Sequence, residues 1–207
     1  MRFKSFLLMT IAICSCSHSN KKETNYWIRE CDSTGIKCRY VDSKGIVKIP
    51  FGKYYYCYTD TFKDIAFVTG EKGIIGINKK GEKLFNVYII DNGPDYIVNG
   101  AFRIIEKNKM GFADTLGNII IPTIYDFAYP FNKNELALVN IGGHSESVDP
   151  ADPHCEHHVW IGGKWGIINK SGKIIKDIKY DHIWQNGKDI LSKESESFEF
   201  NNETTLK

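Results

Sequence analysis

Short runs of apolar and β-branched residues recur along the chain, and polar tetrads that end in glycine separate them. The four tetrads are Asp42-Ser43-Lys44-Gly45, Asn78-Lys79-Lys80-Gly81, Asp114-Thr115-Leu116-Gly117 and Asn169-Lys170-Ser171-Gly172. Asp or Asn at the first position of a turn hydrogen-bonds to the nearby backbone, and glycine at the fourth position accepts a left-handed conformation. Each tetrad therefore predicts a tight hairpin between two β-strands.

The spacing of the tetrads reveals an internal repeat. Gly45, Gly81 and Gly117 follow one another at intervals of 36 residues, and Gly172 follows after 55, which is one interval plus 19 residues. Similar segments at 62–68 and 131–139 predict a third strand in each unit. Because a single hairpin cannot bury its apolar face, we expect neighbouring units to stack, with the first and last units acting as caps.

Two residue types within the strands carry further predictions. Pro50 and Pro122 each lie five residues after a tetrad glycine, and proline is expected to end the strand that follows the turn. Gly166 follows Trp165, and we expect the glycine to leave room for the indole ring.

Residues 163–175 of the fourth unit contain Trp165-Gly166, and Tyr180-Asp181 follows them. This unit resembles the WG repeat, also called the KWG repeat, of bacterial proteins. The resemblance implies a β-rich scaffold in exported or surface proteins, from a family with no shared catalytic residues.

The other units are similar to this repeat to different degrees. Residues 108–126 carry Met110 in the tryptophan position, whereas the first two units have Cys38-Arg39 and Ile74-Ile75 in the Trp-Gly positions. The resemblance spans about residues 36–190. The predicted fold is all-β, an array of about four WG-type hairpin repeats stacked into a curved antiparallel sheet or solenoid, with a β-sandwich as the alternative.

The N-terminus has the layout of a secretion signal. Arg2 and Lys4 precede an apolar run at residues 6–13, which is shorter than the roughly 20 residues needed to span a bilayer. The run closes on Ile13-Cys14-Ser15-Cys16, which resembles the lipobox of bacterial lipoproteins. This resemblance implies cleavage before Cys16 and lipidation of its thiol, whereas the alternative is an ordinary cleaved signal with two incidental cysteines.

These features predict the organisation of the chain. The predicted segments are a signal peptide at 1–15, a tether at 16–25, a repeat domain at 26–191 with an insertion at about 141–159, and a polar tail at 192–207. We expect an exported protein that is held on the outer membrane or cell surface of a bacterium.

The charge balance excludes one class of partner. Removal of the signal takes away Arg2 and Lys4, which leaves 25 basic and 25 acidic side chains. A neutral chain with interspersed charges lacks the basic surface that phosphate binding requires. We therefore expect no nucleic-acid partner, and the predicted partners are the membrane, through Cys16, and an envelope protein or glycan.

The remaining cysteines and a tyrosine cluster suggest local structure. Export permits disulfides, and Cys31 and Cys38 enclose the turn-like residues 32–35, so these two cysteines are predicted to pair. Four tyrosines lie in the five residues 54–58. Because neighbouring residues of a strand face opposite sides, Tyr55 is expected to face solvent or a partner.

The insertion contains the candidate metal ligands, which are His144, His154, Cys155, His157 and His158. Imidazole and thiolate bind Zn²⁺ and related ions, and a loop could wrap them around one ion. The spacing matches no standard zinc motif, so a solvated, flexible insertion without bound metal is the other interpretation, and no further cofactor is expected.

No nucleophilic or phosphate-binding motif emerges, and His182 stands alone beside the repeated Tyr-Asp pair. The sequence therefore predicts a non-catalytic, lipid-anchored binding or scaffold protein of the cell envelope. A metal-binding or metal-sensing envelope protein is the alternative, and an undetected hydrolase is the third possibility.

Overall fold

A computed structural model describes residues 25–152 and 154–183. In this part of the chain the protein consists of β-strands, turns and loops, so the all-β prediction is confirmed. None of the described residues forms a helix of a length and hydrophobicity that could cross a membrane. The predicted signal peptide, the lipidation at Cys16, nearly all of the tether and the polar tail lie outside the described residues.

Seventeen strands follow one another along the described chain. They are β1 (Trp27–Cys31), β2 (Cys38–Val41), β3 (Val47–Ile49), β4 (Tyr56–Cys57), β5 (Thr61–Phe62), β6 (Ala66–Gly70), β7 (Gly73–Ile77), β8 (Lys83–Val87), β9 (Ile89–Ile90), β10 (Gly93–Pro94), β11 (Ala101–Glu106), β12 (Lys109–Asp114), β13 (Ile119–Tyr125), β14 (Phe127–Ala128), β15 (Leu136–Ser147), β16 (His158–Asn169) and β17 (Ile174–Tyr180).

Each repeat is a meander of three antiparallel strands. The four meanders are β1-β2-β3, β6-β7-β8, β11-β12-β13 and β15-β16-β17, and in each the predicted tetrad joins the second strand to the third. The strands form sheets ordered β3-β2-β1-β5, β10-β9, β13-β12-β11-β8-β7-β6-β4 and β14-β15-β16-β17. The second and third repeats therefore share one seven-stranded sheet.

The third tetrad shows why these turns form. The N–H of Gly117 donates to the carbonyl of Asp114 at 3.1 Å. The Oδ1 atom of Asp114 accepts hydrogen bonds from the N–H groups of Leu116 and Asn118 at 3.0 and 2.8 Å. Gly117 has a φ of 93°, a conformation that costs a non-glycine residue about 1–2 kcal/mol. The other three tetrads repeat this pattern of hydrogen bonds.

Three hydrophobic clusters connect consecutive repeats. In the second, third and fourth repeats, one apolar residue of the first strand lies opposite the Gly position of the Trp-Gly pair. These residues are Val68, Ile104 and Val139. Each of them packs against the preceding repeat, whereas in the first three repeats the residue in the Trp position packs against the following one. In the third cluster, for example, Met110 of the third repeat packs with Val139 of the fourth. Because strand faces alternate, the second and third repeats each bury both of their faces between neighbouring repeats.

A buried ion pair also fixes the third repeat. Arg103 on β11 and Asp95 in the preceding loop are each 3% exposed. The Nε and Nη2 atoms of Arg103 donate to the Asp95 carboxylate at 3.0 and 2.5 Å, and Nη1 donates to the carbonyl of Ala128 at 3.1 Å. Buried charges are tolerated when they are paired and hydrogen-bonded in this way. The pair involves residues that no sequence pattern linked.

The two proline predictions had different outcomes. β3 ends at Ile49, directly before Pro50, as expected. β13 instead continues through Pro122 to Tyr125, so the prediction that Pro122 ends this strand is wrong. Pro122 lies where the pairing of β12 and β13 shifts register between Phe112 and Met110. At such a bulge a residue without an N–H donor costs no ladder hydrogen bond.

Candidate functional site: the insertion ribbon

Residues 141–147 and 158–159 of the insertion belong to a two-stranded ribbon, whereas the sequence predicted a loop, and residues 148–157 connect the two strands. β15 and β16 stay in one register from Ile141 opposite Lys164 to Ser147 opposite His158. Within the described chain, β14 pairs only with residues 139–140 of β15, and β17 reaches β16 only as far as Trp165. The insertion forms strands because it lengthens an existing hairpin, which satisfies its backbone groups.

The base of the ribbon bends at glycines and is tied to the body of the protein. Gly142, Gly162 and Gly163 have φ values of 87°, 69° and 70°. Asn140, which is fully buried, donates from Nδ2 to the carbonyl of Gly162 at 3.1 Å and accepts from the N–H of Gly143 at 3.0 Å. The Gly142 N–H donates to Asp126 of the third repeat at 2.8 Å. These bonds hold the ribbon in one orientation.

The inner face of the ribbon packs on an aromatic cluster. The ring of Trp160 stacks on Phe127, with centroids 5.0 Å apart and planes at 23°. Phe127 and Tyr129 also contact Trp165, at centroid distances of 6.2 and 6.0 Å. Gly143 makes this packing possible, because a Cβ there would lie 2.3 Å from Nε1 of Trp160. Trp165 itself is buried, which supports a structural role for the tryptophan position.

The outer face of the ribbon carries an apolar stripe. His144 pairs with Ile161 and Glu146 pairs with Val159, and directly paired residues lie on the same side of an antiparallel sheet. Val159 is 47% exposed, and Val148 at the end of the ribbon is 59% exposed. This face therefore presents branched apolar side chains beside imidazole and carboxylate groups.

The structure does not bring the predicted metal ligands together. His144 lies three positions before Ser147, which pairs with His158, so it is about 10 Å along the ribbon from the tip. His154, Cys155 and His157 lie in the connection between the two strands. Among the described residues no group of three or more His, Cys, Asp or Glu side chains could hold a metal ion.

Cys155 at the tip has an unusual environment for a thiol. A hydrogen bond with the Ser147 side chain, followed by backbone hydrogen bonds at Asp149 and His157, lowers the pKa of Cys155. The Sγ atom of Cys155 lies 3.5 Å from the carbonyl of His157. A lowered pKa increases the thiolate fraction, which is the form that reacts and binds metals.

The other cysteines and the tyrosine cluster lie in and next to the first repeat. Cys31 and Cys38 form a disulfide between β1 and β2. Cys57 is a buried free thiol, and burial raises its pKa. Tyr55 is 68% exposed, in keeping with the alternation argument, whereas Tyr54, Tyr56 and Tyr58 are half-buried.

Gly166 lies directly against the third strand of its repeat. A Cβ at this position would lie 2.6 Å from Cγ1 and 2.8 Å from Cα of Ile178. The glycine therefore makes room for the third strand. Gly111 is equivalent, since its Cβ would lie 2.4 Å from the carbonyl oxygen of Ile121. Both glycines face a register shift in the third strand.

An open groove of about 650 Å³ runs between the turns of the third and fourth repeats. Its lining residues are Asp114, Ile120, Asn134, Glu135, Asn169, Lys170 and Ser171. Asp114 and Asn169 use their side chains to hold their own turns. The groove offers few uncommitted polar groups, so the ribbon is the stronger candidate site.

Comparison with known families supports the repeat assignment. Residues 110–143 and 165–188 match the family described as WG containing repeat. The two matches leave out residues 144–164, which form the outer part of the ribbon. No curated protein and no solved structure matches the chain.

Proposed function

We propose that this chain, in which residues 110–143 and 165–188 match the WG containing repeat, is a non-catalytic, lipid-anchored scaffold of the bacterial cell envelope that binds a protein partner through the insertion ribbon. The observation that carries the proposal is the ribbon itself. Residues 141–147 and 158–164 pair only with each other in the described structure, yet Asn140 and Asp126 hold their base.

The chemistry of the ribbon suits an extended polypeptide. A strand edge without a neighbour has backbone donors and acceptors that a partner strand can pair with. Val148, Val159 and Ile161 provide apolar contacts on the outer face, and alternation of faces gives such contacts sequence specificity. Because hydrogen bonds already fix the base of the ribbon, less conformational entropy is lost when a partner binds.

A capture experiment with the lipidated full chain tests this function. Val148→Asp with Val159→Asp should abolish capture of a saturable envelope-protein partner, because charge would enter the apolar contact. Ile97→Asp is the matched control, since Ile97 is also exposed but lies in another repeat, and it should retain capture. Capture that survives the ribbon variants, capture of glycan only, or turnover of a substrate panel would contradict the proposal.

The lipid anchor has a separate test. Cys16→Ala should abolish incorporation of radiolabelled acyl chains, because the lipobox resemblance assigns the thioether to the thiol of Cys16. Cys14→Ala is the control and should still be labelled. Labelling of Cys16→Ala would show that the anchor is assigned to the wrong residue.

Metal binding at the ribbon tip is the second candidate function. His154, Cys155, His157 and His158 lie within five residues of chain, and a connection between strands can rearrange around an ion more easily than paired strands can. Calorimetric titration of Zn²⁺ into the reduced protein should then give heat that His154→Ala with His157→Ala removes. Absence of heat, or an affinity that this variant leaves unchanged, would exclude the tip as a metal site.

A further inference from the structure

The array begins with a face that no described repeat covers. Ile28 pairs with Val41, and Glu30 pairs with Arg39, on the side of β1 and β2 opposite to Tyr40. Tyr40 faces the first hydrophobic cluster, so the other side faces outward. Val47 pairs with Val41 across a register shift, and Val47 is 43% exposed whereas Val41 is buried.

The polar residues of this face distinguish the first repeat from the others. Glu30 lies opposite the Gly position of its repeat, where the later repeats have Val68, Ile104 and Val139. Those three residues are buried against the preceding repeat, whereas Glu30 forms a 2.8 Å ion pair with Arg39. Glu30 therefore makes the outward side compatible with a polar environment.

Apolar side chains remain exposed around this ion pair. Phe51 is 43% exposed and lies under the Arg39 guanidinium, 4.9 Å from the ring centroid. Ile28 and Val47 are 38% and 43% exposed. We refer to Ile28, Glu30, Arg39, Val47 and Phe51 together as the end face.

The charge of the first repeat differs from that of the whole chain. Between Trp27 and Tyr55 six side chains are cationic and three are anionic, a net charge of +3. The predicted mature chain is neutral, so residues outside this repeat carry the compensating negative charge. Lys37, Lys44 and Lys48 are exposed in this repeat, and Lys48 pairs with Asp42 at 2.9 Å, whereas Lys53 lies beside Gly81 of the second repeat. Apolar side chains beside exposed lysines are typical of surfaces that enter the interface of anionic membranes.

We propose that the end face rests on the anionic headgroup layer of the membrane, an inference that depends on the lipid anchor proposed above. The predicted tether of residues 16–25 spans at most about 35 Å when fully extended. The first repeat directly follows this tether, so the anchor would keep the end face close to the lipid surface. There the lysines would meet phosphate groups, and Phe51 and Val47 would contact the upper acyl region.

A second copy of the chain is a poorer occupant of the end face. Two end faces related by a twofold axis would bring together two repeats that each have a net charge of +3, and like charges oppose such contact. An anionic lipid surface has the complementary charge over the same area. The end face would then orient the array so that the fourth repeat and its ribbon are at the opposite end from the membrane-contacting repeat.

Hydrogen exchange on the lipidated full chain tests the proposal. The protein is compared in vesicles of phosphatidylcholine alone and in vesicles that also contain phosphatidylglycerol. Amides of residues 36–55 should exchange more slowly in the anionic vesicles, and high salt should remove this difference. Lys44→Glu should reduce the protection by about fivefold or more. Lys80→Glu is the matched control, because Lys80 has the same position in the next turn, and it should leave the protection unchanged.

The outcomes separate this inference from the anchor. If the chain carries lipid but residues 36–55 exchange equally in both kinds of vesicle, the end face does not bind membranes, and the anchor stands. If Cys16 takes up no acyl chain, the lipid anchor is wrong, and the membrane proposal that depends on it is overturned as well. Protection that depends on protein concentration in phosphatidylcholine vesicles would assign the end face to a second copy and overturn the proposal. Phe51→Ser should weaken the protection, whereas Ile97→Ser should not.

Discussion

Lys164 donates a 2.7 Å hydrogen bond from its ammonium group to the carboxylate of Asp181. Lys109 makes the equivalent bond to Asp126 at 2.5 Å in the third repeat. In both repeats the lysine directly precedes the Trp position, and the aspartate belongs to the Tyr-Asp pair. The lysine before the Trp position and the aspartate of the Tyr-Asp pair therefore form one structural feature of the repeat, an ion pair between the second and third strands.

The two ion pairs should differ in their contribution to stability. Asp126 is largely buried and also accepts the N–H of Gly142 at 2.8 Å, whereas the Asp181 side chain is 77% exposed. We expect Asp126→Asn to lower the free energy of unfolding by about 1–3 kcal/mol at pH 7, as for other hydrogen bonds to charged groups. Asp181→Asn should leave the urea midpoint nearly unchanged, because exposed pairs contribute little. Equal midpoints for the two variants would contradict this assignment.

The same carboxylate should make stability depend on pH. Burial by itself raises the pKa of Asp126, but the Gly142 N–H and the Lys109 ammonium outweigh it, so the pKa is lowered. The stabilisation is therefore present above the unfolded pKa of about 3.9 and is lost as pH falls through the folded pKa. Urea unfolding at pH 7 and at lower pH should show a smaller loss for Asp126→Asn than for the wild type. A loss of the same size in both would rule out this role.

Gly111 and Gly166 should not tolerate a side chain. A Cβ at Gly111 would lie 2.4 Å from the Ile121 carbonyl oxygen, and one at Gly166 would lie 2.6 Å from Ile178. Gly111→Ala and Gly166→Ala should each cost about 1–3 kcal/mol or more, because backbone atoms must move. Gly93→Ala is the control, since the nearest atom to its Cβ is 3.7 Å away. If Gly93→Ala lowers the melting temperature as much as the other two variants do, the close approach of the strands at Gly111 and Gly166 is absent.

A fifth turn of the tetrad type has glutamate where the others have glycine. In residues 132–135 the N–H of Glu135 donates to the carbonyl of Asn132 at 2.9 Å, and Glu135 has a φ of 57°. Glu135→Gly should raise stability by about 1 kcal/mol, because the left-handed conformation is costly for a residue with a Cβ. Glu135→Ala keeps the Cβ and should bring no gain. A melting temperature that rises equally in both variants would indicate a cause other than backbone strain.

Thiol labelling should distinguish the cysteines. Cys31 and Cys38 are bonded to each other, Cys57 is buried and free, and Cys155 is partly exposed and free. In the folded, unreduced protein a maleimide should therefore label Cys155, and unfolding without reductant should add Cys57. Mass spectrometry that finds Cys31 or Cys38 labelled after unreduced unfolding would show that the disulfide does not form.

Local signals explain how much of the fold was accessible to prediction. The hydrogen bonds that define a tetrad turn lie within five residues, as at Asp114 and Gly117, so residue identity alone was enough to locate these turns. The turn at 132–135 escaped because Glu135 lacks the glycine signal. The candidate site depends on more distant partners, such as Asn140 with Gly162 and Gly142 with Asp126. No periodicity marks such contacts.

The sequence by itself determined the four tetrad turns, the strands that flank them and the number of repeats, because these depend on alternation of faces and on short-range hydrogen bonds. It also determined the charge of the first repeat. Only the tertiary structure decided that strands of the insertion form a ribbon. Trp160 of the ribbon stacks on Phe127, which lies more than thirty residues earlier in the chain, and Gly143 leaves space for the indole ring. The tertiary structure also decided that His144 lies apart from the histidines of the tip. The physical reason is that the register of a hairpin fixes the distances between its residues. The types of candidate ligand in a sequence do not contain those distances.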